Sequence, residues 1–160
     1  MRRQLLSKQV LTAPAIRSFA GLLRGHTALT RELSARLLAD HGLTLNDYEV
    51  LLHLSRAPDH RLRRVDLVER LLLTPSGITR LLDGLEAAEL VAKATCESDA
   101  RVTYAVLTDG GRKKLREAAR THLADIEAAF ARFGDDELET LASLLARLTD
   151  GGVDEPCEPG

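Results

Sequence analysis

The chain has 160 residues, 44% of them hydrophobic, which is enough for one domain with a buried core. Two cysteines are too few for a disulfide framework, and the sequence shows neither a signal-peptide pattern nor an apolar run of ~18 residues, so a cytoplasmic protein is expected. The net charge of −2 is unevenly distributed: residues 56–116 carry 12 Lys and Arg against 9 Asp and Glu, whereas residues 117–160 carry 3 against 11.

The middle segment is therefore modestly basic, which suits a nucleic-acid partner, although a solvated charged surface explains the charge equally well. Leu and Ala dominate the composition and aromatic residues make up only 3%, so a mainly α fold is predicted, with a core that packs helix on helix. The sequence contains no G-x-S-x-G, P-loop or H-E-x-x-H motif. We therefore expect neither an enzyme nor a metal or cofactor site.

The first half of the chain shows three helical segments. A long helix is predicted over residues 14–40, and His41 and Gly42 end it. Thr44 and Asp47 form a variant capping box that opens a second helix, which Pro58 stops. Residues 62–71 predict a third helix, whose inner side consists of Leu62, Val65 or Leu67, Val68 and Leu71.

Residues 74–86, TPSGITRLLDGLE, predict a fourth helix with two different faces. Thr74 is expected to cap it and Pro75 suits its first position. The inner face has helical spacing and consists of Ile78, Leu81, Leu82 and Leu85. The opposite side, called the outer face below, consists of Ser76, Gly77, Thr79, Arg80 and Asp83. The third and fourth helices together predict a helix-turn-helix, and the small polar outer face suits a DNA major groove.

Beyond Leu90 the pattern changes from helical to extended. Residues 90–98 and 101–108 predict two strands joined by a polar tip over residues 97–100, that is, a wing. Thr108 is expected to cap a helix that ends at Gly134 and carries a heptad-like apolar seam. A last helix is predicted to start at Asp135 or Asp136. Residues 150–160 are expected to be a disordered tail, and Cys96 and Cys157 to be free thiols, with an oxidation sensor at Cys96 as the alternative.

Three segments in this order resemble the MarR-type family, the multiple-antibiotic-resistance regulators. They are LTLNDYEVLLHL (43–54), LRRVDLVERLLLTPSGITRLLDGLEAAELV (62–91), and SDAR (98–101) followed by VLTDGGRKKL (106–115). The resemblance spans residues 14–148 and implies a winged helix-turn-helix DNA-binding region over residues 44–108. It also implies a helical dimerisation region over residues 14–40 and 109–149, with an N-terminal extension over residues 1–13 and the tail over residues 150–160.

The resemblance further implies a homodimeric transcriptional regulator, most simply a repressor, on a pseudo-palindromic operator in double-stranded DNA. The major groove would be met by Pro75, Ser76, Gly77, Thr79 and Arg80. In the wing, Asp99 would orient Arg101 into the minor groove, whose negative potential attracts a guanidinium. Phosphates would be met by Arg61, Arg63, Arg64, Thr74 and Lys93.

An effector cleft is also implied by the resemblance, for a small aromatic or phenolic ligand. Phe19, His26, Tyr48 and His53 are the candidate lining residues, and ordinary packing between helices explains each of them at least as well.

Four positions depart from the family pattern. Leu72 stands where a small or polar turn residue is usual, and Glu89 stands where a glycine is usual. Gly84 and Ala100 stand where basic residues are more usual.

Two other readings also stay open. Arg80 could pair with Asp83 or Glu86 on a solvated helix, and Asp99 with Arg101 could form a plain hairpin turn. A winged-helix module that binds protein instead of DNA is the alternative function.

Overall fold

The structure is a computed structural model that describes residues 13–95 and 102–148. Its elements, in chain order, are α1 (Pro14–His41), α2 (Leu45–Arg56), a 3₁₀ turn (Pro58–His60), β1 (Arg61–Arg63), α3 (Arg64–Leu71), α4 (Pro75–Ala87), β2 (Val91–Thr95), β3 (Thr103–Leu107), α5 (Asp109–Phe130) and α6 (Asp135–Ala146).

One compact unit ends at Asp125 and a second begins at Ile126. Among the described helices, none is long and apolar enough to cross a bilayer. The mainly α winged helix-turn-helix fold is confirmed.

The ends of the first two helices lie where the sequence predicts them. Gly42 adopts the left-handed conformation (φ 66°) and its N–H donates to the last carbonyls of α1. At the start of α2, the backbone N–H of Asp47 donates to Thr44 Oγ1 (3.2 Å), and the backbone N–H of Thr44 donates to Asp47 Oδ2 (2.8 Å). This reciprocal capping box satisfies two N–H groups that the helix leaves free.

The sheet has three antiparallel strands in the order β1-β3-β2, and β1 was not predicted. Leu62, which we expected on the inner side of α3, lies in β1 opposite Ala105 and is 8% exposed. Three residues are too few to show an alternating pattern, so this edge strand could not be predicted from hydrophobic periodicity. Within α3 itself, Leu67 is fully buried and Val65 is 60% exposed, which decides between the two candidates for the inner side.

The core of the first unit joins α1–α4, the sheet and the N-terminal half of α5. Its buried apolar residues are Leu37, Leu43, Tyr48, Val50, Leu51, Leu54, Leu62, Leu67, Ile78, Leu82, Leu85, Val91, Ala105, Leu107, Leu115 and Ala118. Because α3, α4 and both wing strands contribute to one core, the helix-turn-helix and the stem of the wing are fixed relative to each other.

A polar side chain, His122 of α5, is buried beside this core at 5% exposure. Its ring packs edge-on against Tyr48 with 4.8 Å between centroids, and its Nδ1 atom has no hydrogen-bond partner in the part of the chain that the structure describes. Burial lowers the pKa of His122 below its usual value, and the charge of Asp125 opposes that shift only in part.

This histidine is expected to make the fold sensitive to acid. A neutral imidazole in the folded state stabilises the protein above the unfolded pKa of about 6.5, and that contribution is lost as the pH falls from there towards the lower folded pKa, at no more than ~1.4 kcal/mol per pH unit. We expect the free energy of unfolding of the wild type to drop more between pH 7.5 and pH 5 than that of His122→Phe, in denaturant titrations. Equal drops in the two proteins would contradict this assignment.

Four non-glycine residues of the described chain adopt left-handed backbone conformations: Asp59 and His60 in the 3₁₀ turn, Leu72 after α3 (φ 53°) and Glu89 after α4 (φ 59°). The last two concern the helix-turn-helix. They are two of the positions at which the sequence departs from the family pattern. Each conformation costs about 1 kcal/mol for a residue with a Cβ atom. The turns are therefore built as in a winged helix, at some cost in stability.

In the second unit, α5 ends at Phe130 and not at Gly134, as the sequence had suggested. The backbone N–H of Phe133 donates to the carbonyl of Phe130 (3.0 Å), a tight turn that closes the helix early. Gly134 instead caps α6, where its N–H donates to Glu137 Oε2 (3.0 Å). The start of α6 at Asp135 is as predicted.

Candidate nucleic-acid interface

The N-terminus of α4 is built by its cap. Thr74 Oγ1 accepts a hydrogen bond from the backbone N–H of Gly77 (3.1 Å), and Pro75 occupies the first helical position. Thr74 Oγ1 also lies 3.2 Å from Ser76 Oγ, so the cap and the first outer-face hydroxyl are linked. This local network fixes the first turn of the helix.

Packing then sets which way α4 faces. Ile78, Leu82 and Leu85 are at most 3% exposed and anchor the inner face in the core, while Leu81 is half-buried. On the outer face, Ser76, Arg80 and Asp83 are exposed, and Gly77 and Thr79 are half-buried. The two faces that the sequence predicts are therefore those of the folded helix.

Arg80 is the exposed cation of the outer face. No ion pair joins it to Asp83 or Glu86 within residues 13–95 and 102–148, so the salt-bridged surface pair considered above does not form there. An exposed guanidinium on a helix of small side chains has its five N–H donors available to a ligand.

Thr79 is held by two hydrogen bonds. Its hydroxyl donates to the backbone oxygen of Pro75 (2.9 Å), and its Oγ1 atom accepts from Arg64 Nη2 (2.7 Å). Arg64 begins α3, so this contact links the two helices of the helix-turn-helix. Sequence reasoning missed it, because nothing in the spacing of residues 64 and 79 indicates that they meet.

The other cations predicted to contact phosphates differ in whether they already pair with a group of the protein. Arg63 makes a two-point ion pair with Asp66 (3.0 and 2.7 Å), and this pair lowers the pKa of the Asp66 carboxyl. Arg61 lies 3.4 Å from Asp59 and 5.2 Å above the ring of Tyr104. Lys93, on β2, is exposed and has no partner among the described residues. Lys93 is thus the most available of these cations, and Arg63 already has a carboxylate.

The wing is described only in its stem. β2 and β3 pair from Val91 opposite Leu107 to Thr95 opposite Thr103. Asp99 and Arg101, predicted for the minor groove, lie outside the described residues, as do the polar tip over residues 97–100, Cys96, Cys157 and the tail over residues 150–160. The two predicted strands are confirmed over Val91–Thr95 and Thr103–Leu107.

The four residues predicted to line an effector cleft occupy different environments. Phe19 and His26 are exposed on α1, Tyr48 is buried in the core, and His53 is half-buried. A cavity of about 310 Å³ lies along Leu23 and Arg31 of α1, and one of about 430 Å³ lies between the α1–α2 turn, the end of α4 and Lys114 of α5. None of the four residues lines either cavity.

Comparison with known proteins gives the family. The sequence model of the MarR family matches residues 41–102. The transcriptional repressor YetL of Bacillus subtilis is 31% identical over 69% of this chain and 66% of its own length. Among solved structures, AbsC, a MarR family transcriptional regulator from Streptomyces coelicolor, is 31% identical, with a TM-score of 0.77 over 88% of this chain and 95% of AbsC. The chain belongs to the MarR family.

A second structure bears on the interface. Sco3205, a MarR family transcriptional regulator from Streptomyces coelicolor solved in complex with DNA, matches with a TM-score of 0.79 and 27% identity, over 91% of this chain and 95% of Sco3205. The present chain is thus a transcriptional regulator with a winged helix-turn-helix DNA-binding fold. Its outer face of α4 is the part of that fold that presents exposed polar groups on a rigid helix.

Proposed function

We propose that this MarR-family regulator is a cytoplasmic homodimer that represses transcription by binding a pseudo-palindromic operator, and that it has no catalytic role. The observation that carries the proposal is the outer face of α4, a helix with Ser76 and Arg80 exposed, where Arg80 makes no ion pair with any described residue. The DNA complex of Sco3205 supports the DNA partner, and the repressor YetL supports the direction of regulation.

The proposed contacts follow from donor and acceptor chemistry. Arg80 would donate to the O6 and N7 acceptors of a guanine in the major groove, and Ser76 would meet a neighbouring base or phosphate. The first turn of α4, with its capped N-terminus, favours an adjacent phosphate. Lys93 on the wing stem would contact a neighbouring phosphate, and Arg101, oriented by Asp99, would enter the minor groove.

Apolar side chains that a single chain leaves exposed support the homodimer. On α1 they are Ile16, Phe19, Leu22 and Leu23, at 40–60% exposure. On α6 they are Leu141, Leu144 and Leu145, at 37–51% exposure. Exposed apolar rows on helices mark surfaces that another subunit covers. A twofold dimer would place its two α4 helices, the proposed recognition helices, about 34 Å apart, which is one duplex turn.

The proposal includes a small aromatic or phenolic effector that regulates the dimer. Phe19 and His26 are exposed on α1 and lie two helical turns apart on the same face. They are the two candidates that a ligand could reach in a single chain. Such a ligand would act only if it bound more tightly to a dimer whose recognition helices no longer fit one duplex turn.

Arg80→Ala is expected to weaken binding to the preferred duplex by roughly 1 to 3 kcal/mol and to relax the base preference, because a two-point contact to a guanine would be lost. Fluorescence anisotropy with the preferred duplex and with single-base variants measures both effects.

Lys93→Ala is the matched control, because Lys93 is another exposed cation without a partner among the described residues. Its loss should weaken all duplexes alike and reduce the slope of log K against log salt by about 1 per subunit. Identical effects of the two substitutions on base preference would contradict the role of Arg80. Binding of protein partners but of no duplex would favour the interaction-module alternative.

A further inference from the structure

The hydroxyl hydrogen of Thr79 is already in use. A threonine hydroxyl has one hydrogen to donate and two lone pairs that accept. In Thr79 the hydrogen is donated to the Pro75 carbonyl (2.9 Å), and one lone pair accepts from Arg64 Nη2 (2.7 Å). In this geometry the hydroxyl has no hydrogen left to donate to a base-edge acceptor.

The hydroxyl of Thr79 could donate to a base only if a hydrogen bond of the free chain were broken. The bond from Arg64 is charge-assisted and short, and such bonds exceed neutral ones in strength. The bond to Pro75 is the usual back-bond of a threonine in a helix, to the carbonyl one turn earlier. Breaking either one to reach a base would leave a polar group unpaired at the interface.

The rest of the side chain stays available. Thr79 is half-exposed on a face whose neighbours Ser76 and Gly77 are small, so a base edge can come close to it. With its hydrogen donated, the hydroxyl keeps one lone pair and has no hydrogen for a base acceptor. The γ-methyl group is the part of Thr79 that can make an apolar contact with a base. In the major groove, the apolar group that a base pair presents is the C5-methyl of thymine.

We propose that Thr79 is a base-reading residue that recognises a thymine through contact between its γ-methyl group and the thymine C5-methyl. Arg64 and the Pro75 carbonyl hold the hydroxyl away from the base. The inference rests on the proposed DNA-binding function and specifies the chemistry of one position in each half-site.

The experiment uses the full-length chain and a duplex selected from a random pool. Each thymine of that duplex is replaced in turn by deoxyuridine, which lacks only the C5-methyl. The deoxyuridine ratio is the dissociation constant of the substituted duplex divided by that of the original duplex. For the wild type we expect one thymine per half-site with a ratio of about fourfold, which corresponds to ~0.8 kcal/mol for one buried methyl group.

Two variants separate the methyl group from the hydroxyl. Thr79→Val keeps the γ-methyl and loses the hydroxyl, so it should keep the deoxyuridine ratio even if its overall affinity changes. Thr79→Ser keeps the hydroxyl with both hydrogen bonds and loses the methyl, so its ratio should fall to one. A global loss of stability would change affinity for both duplexes and leave the ratio unaltered.

The opposite pattern, a ratio kept in Thr79→Ser and lost in Thr79→Val, would overturn the inference. The inference would also fall if the protein bound a symmetric duplex in a salt-dependent way but no deoxyuridine substitution had an effect that depended on Thr79. In that case the proposed function would stand. If the selection enriched no duplex at all, the proposed function and the inference would fall together.

Discussion

Leu144→Asp is expected to convert the protein from a dimer to a monomer and to abolish tight operator binding. Leu144 is 51% exposed on α6, so a carboxylate there costs the folded single chain little. In the proposed dimer the same side chain is covered by the partner, and a buried unpaired carboxylate is strongly unfavourable. Because two linked half-site contacts would become independent, affinity for the full operator should fall by about 10²-fold or more.

Sedimentation velocity gives the mass, and anisotropy with a selected duplex gives the affinity. Ser143→Asp is the matched control, because it adds the same charge one residue away at an exposed polar position of the same helix. We expect this control to stay dimeric. A Leu144→Asp protein with unchanged mass would show that the apolar face of α6 does not take part in dimerisation, as would equal disruption by the two substitutions.

The second large effect is expected from Gly111→Ala, which should destabilise the fold by about 3 kcal/mol, at the upper end of the cost of overpacking. A Cβ atom at this position would lie 2.1 Å from the backbone oxygen of Leu90 and 2.7 Å from Leu107 Cδ1. The Leu90 carbonyl has little freedom to move, because it also accepts from the backbone N–H and the hydroxyl of Thr108. The clash is therefore with fixed backbone.

Gly84→Ala is the control for this prediction. A Cβ atom at Gly84 meets no atom within 4 Å, and the residue lies inside α4, so alanine there should stabilise the fold by roughly 0.5 to 1 kcal/mol. Chemical denaturation of the two variants measures the difference. A Gly111→Ala protein as stable as the wild type would mean that α5 does not approach the wing stem as closely as described.

Much of the fold could be predicted because its signals are local. The caps at Thr44, Thr74 and Thr108 and the left-handed Gly42 act within a few residues of the chain, and all four lie where the sequence indicates. The inner face of α4 follows from spacing alone, since burial of one stripe is what a helix on a core requires.

What could not be predicted depends on contacts between distant parts of the chain. Strand β1 exists because residues 61–63 pair with β3, which is more than 40 positions away. The contact between Arg64 and Thr79 depends on the angle between α3 and α4, and it occupies the hydroxyl of an outer-face residue. The two-point pair of Arg63 with Asp66 differs, because it is a local contact three residues apart that the sequence analysis overlooked, and it reduces the role of an arginine that charge alone favoured.

The departures from the family pattern also gain a physical meaning. Leu72 and Glu89 take the left-handed conformations that a glycine would adopt at lower cost, so the turns are preserved although their residues differ.

Selection of bound duplexes from a random DNA pool by the full-length protein tests the central claim most directly, since it reports on sequence reading and on twofold symmetry together. The account predicts enrichment of an inverted repeat whose half-sites are centred about one duplex turn apart, ~10 base pairs. Enrichment of no sequence, or of a single asymmetric site that one copy of the chain occupies, would contradict it.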